Sequence, residues 1–115
     1  MELVERREGS VVVLAASGRI DHQTAEAFQK ALEPHLAGCS EGGDSIVVEL
    51  SGVNYVSSVG LRALRLASKK VKAQKGRIAV AAMQPTVAEV FRISRFDSIL
   101  PAFETLDAAV GELQA

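Results

Sequence analysis

The sequence predicts an α/β fold: a mixed β-sheet of four to five strands with an N-terminal hairpin, packed with about four helices. First, two strand-like segments are separated only by the turn residues Glu8-Gly9-Ser10, which predicts an antiparallel hairpin. Second, apolar strand-like runs then alternate with segments of helical period, which implies parallel pairing with right-handed crossovers. Third, the 115 residues are 48% hydrophobic and 23% charged, a composition typical of one folded domain spanning 1–115.

The N-terminal hairpin consists of a strand at about residues 2–7 and an apolar strand at residues 11–16. The second strand is apolar at every position, so both of its faces should be covered and it should lie inside the sheet. Ser17-Gly18-Arg19 supplies turn chemistry. We therefore expect the second strand to end there.

The first helix follows residues 21–24, whose side chains are suited to capping. Phe28, Leu32 and Leu36 recur at helical spacing and mark its buried face. Pro34 lies inside this pattern and removes a backbone donor. Because the apolar spacing continues to Leu36, we expect a kink in the helix rather than its end.

The rest of the chain continues the alternation. A loop at residues 38–44 leads to a buried β-branched strand at 45–50, and Pro85 suits the first turn of a later helix. The remaining predicted elements are a helix at about 58–74 that stops at Gly76, a buried strand at 77–83, a turn that can continue into a short strand at 96–103, and a last helix at 105–113.

Composition and charge exclude several classes of function. The net charge of −1 gives no overall attraction to nucleic acid or to an anionic membrane. Cys39 is the single cysteine, so an internal disulfide and a multi-thiolate zinc site are ruled out. The first ten residues lack the apolar run typical of a signal peptide, and no window reaches the roughly 18 apolar residues of a membrane span. We expect a soluble, cytoplasmic protein without cofactor, metal or membrane insertion.

Two adjacent serines, Ser57 and Ser58, precede the second predicted helix at the carboxyl end of a central strand. Functional loops of parallel sheets lie at this edge. The first N–H groups of a helix lack partners and carry the positive end of the helix dipole, so a phosphate is tolerated there. A serine before a helix is also the commonest N-cap, which contributes about 1 kcal/mol without any further role. Only one of the two serines is needed for that cap.

Three stretches resemble the STAS domain family, in particular bacterial anti-sigma factor antagonists. The run VVELSGVNYVSSVGLRAL at 47–64 is similar to the family signature of a buried strand followed by Asp-Ser-Ser/Thr-Gly-Leu. SGRIDHQTAEAF at 17–28 resembles the stretch before its first helix, and VFRISRFDSILPAFETLDAAV at 90–110 its C-terminal part. The resemblance covers essentially the whole chain in the right order.

The resemblance implies a phosphorylation site at Ser58, with Ser57 as an alternative acceptor. Ser57 stands where many members have Asp, and Val59 where many have Ser, Thr or Ala. The same resemblance implies that Asp21, Ser57, Ser58, Val59 and Arg62 contact a partner. That partner would be an anti-sigma factor that is a GHKL-type serine kinase, with a serine phosphatase reversing the modification. For Asp21, a helix N-cap is an equally good interpretation.

The second helix is predicted to be strongly cationic, with no acid between Ser58 and Gln74. Such charges commonly form a solvated face, favoured by the helix dipole toward the C-terminus, and the alternative is a docking surface for an acidic partner. Without interleaved aromatic residues, nucleic-acid binding is disfavoured. The cations are Arg62, Arg65, Lys69, Lys70, Lys72 and Lys75, and the residues expected to face the sheet are Leu61, Leu64, Ala67 and Val71.

The favoured function is therefore an anti-sigma factor antagonist whose affinity for its partner falls when Ser58 is phosphorylated. The alternative is a STAS subunit of a transport complex, such as a phospholipid-trafficking ABC system, without a phosphoswitch. An enzyme is not expected. Asp21, His22 and Ser58 supply the residue types of a hydrolytic triad, but neither serine lies in Gly-x-Ser-x-Gly.

Overall fold

The computed structural model describes residues 1–114, and within that range the elements follow the predicted order. The strands are β1 Glu2–Glu8, β2 Val11–Ile20, β3 Ser45–Val56, β4 Ile78–Ala81 and β5 Ala102–Phe103. The helices are α1 Ala25–Leu36, α2 Ser58–Ala73, α3 Pro85–Ile93 and α4 Leu106–Gln114, with a short 3-10 helix at Phe96–Ser98.

The five strands form one mixed sheet in the order β1-β2-β3-β4-β5. β1 pairs with β2 antiparallel, with Glu8 opposite Val11 at the turn, which confirms the predicted hairpin. The other three pairings are parallel. β2 lies between β1 and β3, so the prediction of an interior strand is confirmed as well.

The predicted ends of β2 and β3 are wrong. β2 does not close at Ser17-Gly18-Arg19 but continues to Ile20, and β3 continues beyond Leu50 to Val56. The pairing with β3 shifts register between Ala15 and Ser17 and between Gly18 and Arg19. These irregularities keep Ser17, Gly18 and Arg19 within the strand, with Gly18 at φ +92°. Because each extension pairs with the other, their backbone groups are satisfied although the sequence offers turn residues.

Two helix features can be compared with the sequence predictions: the proline inside α1 and the residue that ends α2. α1 continues through the exposed Pro34 to Leu36, which confirms that the helix does not end at the proline. The left-handed residue that follows α2 is Lys75 (φ +60°) rather than Gly76, and the Gly76 N–H donates to the Val71 carbonyl at 2.9 Å. Gly76 is required for a different reason, since a Cβ there would lie 2.3 Å from the Cys39 carbonyl oxygen.

Two apolar clusters cover the two faces of the sheet. Val12 and Leu14 of β2 belong to the larger cluster, with α1, α2 and α3, while Val11 and Val13 belong to the smaller one, with α4. Successive side chains of a strand point to opposite faces, so a central strand covered on both sides is apolar throughout. The α2 residues predicted to face the sheet, Leu61, Leu64, Ala67 and Val71, are all buried. Among the described residues, no helix has both the length and the apolar character needed to cross a bilayer.

Candidate functional site

The start of α2 is held against the end of β2. The Ser57 N–H donates to the Ile20 carbonyl at 2.8 Å, and the buried Gly60 packs on the Ile20 side chain. Ile20 is also paired with Val56 across the sheet. The extended ends of β2 and β3 therefore fix where the helix begins, at the carboxyl edge of the parallel strands.

Ser57 is the N-cap of α2. It has extended backbone angles (φ −88°, ψ 172°), and its Oγ accepts from the Gly60 N–H at 3.2 Å. Its carbonyl accepts the first helical bond, from the Leu61 N–H at 3.0 Å. The residue is only partly exposed. Ser57 thus fulfils the capping role that the sequence assigns to one of the two serines.

Ser58 is the first residue of α2 and is exposed. Within residues 1–114 its hydroxyl takes part in no side-chain hydrogen bond, in contrast to that of Ser57. Its backbone N–H is one of the helix donors without an intrahelical acceptor, and it lies at the positive end of the dipole. The Ser58 hydroxyl is therefore exposed to solvent, next to groups that favour an anion.

Asp21 lies on the same edge, directly after Ile20, but its carboxylate is engaged in its own turn. Oδ1 accepts from the N–H groups of Gln23 at 2.9 Å and Thr24 at 3.2 Å, and Oδ2 accepts from Arg19 Nε at 3.4 Å. The Gln23 bond most strongly, with the Arg19 and Thr24 bonds, lowers the pKa of Asp21 below its usual value. Thr24, not Asp21, occupies the N-cap position of α1. The interpretation of Asp21 as the N-cap of α1 is therefore wrong. Its carboxylate instead accepts bonds within the turn that precedes the helix.

Arg19 and Tyr55 form a contact that sequence reasoning missed. They are register partners on β2 and β3, and the Arg19 guanidinium carbon lies 4.3 Å from the Tyr55 ring centroid. A cation above an aromatic face is attracted by the ring quadrupole. Arg19 also donates to Asp21, so it contacts both the exposed Tyr55 ring and the Asp21 carboxylate. Only the pairing of the two strand extensions places these residues together, so no signal along the chain could have identified them.

The exposed face of α2 continues from Ser58 along the helix. Val59 and Leu66 are 45% and 42% exposed, which is high for apolar side chains. A concave surface of about 440 Å³ beside α1 is lined in part by His22, Val59, Arg62 and Leu66. Four of the five predicted contact residues thus lie at the start of α2: the N-cap Ser57 and the exposed Ser58, Val59 and Arg62.

A second concavity, which we call the basic groove, runs along the other side of this face. It encloses about 640 Å³, and its lining includes Ser58, Arg62, Arg65 and Lys69 of α2, with Phe96 and Ile99 opposite. The groove thus places the exposed Ser58 hydroxyl together with three cations. Within residues 1–114, no three His, Cys, Asp or Glu side chains cluster as metal ligands would.

Comparison with known proteins gives one consistent family. The STAS domain family matches residues 3–109. The chain is 31% identical over 102 residues to the anti-sigma-F factor antagonist RsfB of Mycobacterium tuberculosis, covering 88% of this chain and 80% of RsfB. It is 29% identical over 109 residues to BtrV of Bordetella bronchiseptica, covering 95% of this chain and 91% of BtrV.

The fold is also similar to that of solved structures. The crystal structure of an anti-sigma factor antagonist from Mycobacterium paratuberculosis superposes with a TM-score of 0.87 at 27% identity, covering 99% of this chain and 94% of that one. Sequence, fold and family match agree: the chain belongs to the STAS domain family.

Proposed function

We propose that this chain is an anti-sigma factor antagonist. It binds an anti-sigma factor, a GHKL-type serine kinase, through the start of α2 and thereby frees a sigma factor. Two relatives in the comparison, RsfB and the Mycobacterium paratuberculosis protein, carry this function in their names. The observation that carries the proposal is that the two adjacent serines have different structural environments. Ser57 caps the helix, and Ser58 remains exposed without a structural role.

Phosphorylation of Ser58 is the proposed switch. The Ser58 oxygen attacks the γ-phosphorus of ATP, the bond from that phosphorus to the β,γ-bridging oxygen breaks, ADP leaves, and the hydroxyl proton passes to a base of the kinase. The product carries about −1.5 to −2 additional charge at neutral pH. Because the Ser58 side chain is exposed, the phosphate changes the contact surface and leaves the fold intact. A serine phosphatase hydrolyses the phosphate ester with water and releases inorganic phosphate, which restores the hydroxyl and with it the affinity for the partner.

Ser58 is a better acceptor than the alternative, Ser57. The Ser57 Oγ is held by the Gly60 N–H and the residue is half-buried. A kinase that modified Ser57 would first have to break the cap of α2, at a cost of about 1 kcal/mol. Modification of Ser58 requires no such change.

The proposed action is binding rather than catalysis. The Asp21 carboxylate bonds the backbone of its own turn and Arg19, and the exposed His22 directly follows it. A hydrolytic triad needs a base oriented by an acid and bonded to the nucleophile. Asp21 is already used to shape the loop beside the contact surface.

The substitution of Ser57 for the family's Asp does not by itself favour the transport-complex alternative. Ser and Asp are both strong N-caps that accept from the third residue of the helix. Ser57 accepts this bond from the Gly60 N–H, so the N-terminus of α2 is capped in the same way as it would be by an Asp. The geometry of the helix start is therefore preserved, while the negative charge of the Asp is absent from the surface.

The test is phosphorylation in vitro. The chain is incubated with each GHKL-type serine kinase encoded in the same genome and with Mg-ATP, and its intact mass is measured for wild type, Ser58→Ala and Ser57→Ala. We expect one phosphate-sized gain, lost in Ser58→Ala and kept in Ser57→Ala. Binding of the same kinase should weaken after phosphorylation. No mass gain together with no binding by any of these kinases would refute the proposal, and a gain that persists in Ser58→Ala would move the acceptor.

A further inference from the structure

The basic groove contains cations that the protein does not neutralise itself. Arg62, Arg65 and Lys69 are exposed on successive turns of α2. Within residues 1–114 none of them takes part in an ion pair, whereas elsewhere on the surface Arg7 pairs with Asp44 and Arg92 with Glu89. Like charges one turn apart repel each other and destabilise a helix slightly. The groove thus concentrates positive charge in a protein whose net charge is −1.

The wall away from these cations, formed by Ser94, Phe96 and Ile99, is mostly apolar and is held in place. Phe96 packs edge-on against Phe91 with ring centroids 5.1 Å apart, and the Ile99 carbonyl accepts from Lys72 Nζ at 2.9 Å. Ile99 is partly exposed. Because this segment is bonded back to α2, the groove exists before any partner arrives, which lowers the ordering cost of binding.

We propose that the basic groove is the docking site for an acidic segment of the partner protein, one in which Asp or Glu side chains accompany an aliphatic side chain. This inference rests on the proposed function, since it assigns to the anti-sigma factor the chemistry of its contact. The carboxylates pair with Arg62, Arg65 and Lys69, and the aliphatic side chain contacts Ile99 and Leu66. Charge complementarity of this kind steers association and fixes orientation.

A nucleic acid fits the groove less well than an acidic peptide. Single-stranded nucleic acids bind where exposed aromatic rings alternate with cations. The one aromatic residue in the groove lining, Phe96, is 5% exposed and already packed against Phe91. The apolar groove residues that are accessible, Leu66 and Ile99, are aliphatic. They suit contact with an aliphatic side chain of a peptide.

The groove also explains how one phosphate weakens docking. Ser58 lines the groove and precedes Arg62 by four residues, so their Cβ atoms are neighbours about 5–6 Å apart on the helix surface. A phosphate on Ser58 forms a charge-assisted pair with Arg62 in the same molecule. It removes a cation from the groove and adds repulsion toward the incoming carboxylates.

The first test uses a peptide and needs no partner protein. The ¹⁵N-labelled chain is titrated with a short synthetic peptide that repeats Glu-Asp-Leu, and separately with one that repeats Gln-Asn-Leu, at low and at high salt. We expect the acidic peptide alone to shift the amide resonances of Arg62, Leu66 and Ile99, and the shifts to decrease as salt rises. Absence of these shifts, or equal shifts with the neutral peptide, would overturn the groove as an acidic-segment site.

The second test uses the anti-sigma factor that binds the wild-type chain. Arg62→Gln/Arg65→Gln is compared with Lys70→Gln/Lys75→Gln, which removes the same charge outside the groove lining. We expect the groove variant to raise Kd by roughly tenfold, since each exposed pair contributes up to about 1 kcal/mol, and the control variant to change it much less. Equal Kd values for both variants would refute the inference and leave the proposed function intact. If no anti-sigma factor binds wild type, the proposed function fails, and the peptide titration alone decides the groove.

Discussion

Gly60 of α2 lies directly against Ile20 of β2. A Cβ on Gly60 would lie 2.7 Å from Ile20 Cγ2 and 3.1 Å from the Ile20 carbonyl oxygen. The same carbonyl accepts the Ser57 N–H. The absence of a side chain at Gly60 is therefore what lets the capped end of α2 sit on the sheet edge with Ser58 facing solvent.

Gly60→Ala should destabilise the protein by roughly 1–3 kcal/mol, because the added methyl group overpacks a site closed by the Ile20 and Val56 side chains and the Ile20 carbonyl oxygen. The change is measured by urea denaturation. The matched control is Gly111→Ala in α4, where a Cβ meets nothing within 4 Å. That control should stabilise by about 0.5–1 kcal/mol through helix propensity. If Gly60→Ala were as well tolerated as Gly111→Ala, the close packing of α2 on β2 would be contradicted.

The two serines should differ in their contribution to stability. Ser57→Ala removes the bond to the Gly60 N–H and should cost about 1 kcal/mol of unfolding free energy, while Ser57→Asp should retain it. Ser58→Ala should change stability by less than about 0.5 kcal/mol, as for surface positions without a structural role. Thermal and urea unfolding of the three variants measure this. Equal costs for the two alanine variants would argue against the assigned cap.

Asp21 should make stability depend on pH in the acidic range. Its folded pKa lies below the ordinary 3.8, so the charged form contributes stability that is fully present above that value and is lost as pH falls through the folded pKa. Relative to Asp21→Asn, wild type should be more stable at neutral pH, and the difference should shrink as the pH falls below 3.8. Urea midpoints of both proteins across this range provide the measurement. A difference that stays constant with pH would rule out the carboxylate charge as its source.

Cys39 should be unreactive while the protein is folded. It is fully buried, its Sγ donates to the Arg77 carbonyl at 3.2 Å, and burial raises the pKa of its thiol above the usual value. Thiolate is the reactive form, so native protein should react slowly with a disulfide reagent near neutral pH. In urea the same thiol should react at the rate of a free cysteine, which serves as the internal control. Rapid reaction of the native protein would mean that the loop between α1 and β3 opens readily.

Local sequence patterns predicted most of the architecture. The continuous apolar run of β2 predicted a strand covered on both faces, and α4 on one side with α1 to α3 on the other confirms it. The N-cap pattern placed the start of α2 at Ser58, where the helix begins. These features depend on residues close together in the chain, so their physical causes are visible there.

Where the sequence failed, the cause was pairing between distant segments. Ser17-Gly18-Arg19 has turn chemistry, yet it is strand because residues 52–56 of β3 supply its hydrogen-bond partners. The same pairing sets Arg19 over Tyr55 and leads the chain into the turn that Asp21 caps. The bulged register between the two strands could not be read from either segment alone.

The sequence by itself determined the α/β class, the family signature at residues 47–64 and the pair of serines at a helix start. Only the tertiary structure decided which serine is engaged and which is free, and that Arg62, Arg65 and Lys69 line a groove with Phe96 and Ile99. The physical reason is that exposure and charge neutralisation depend on which distant side chains arrive nearby. That outcome is fixed by packing around Ile20 and Gly60 and by the return of the chain after α3, not by the order of residues along α2.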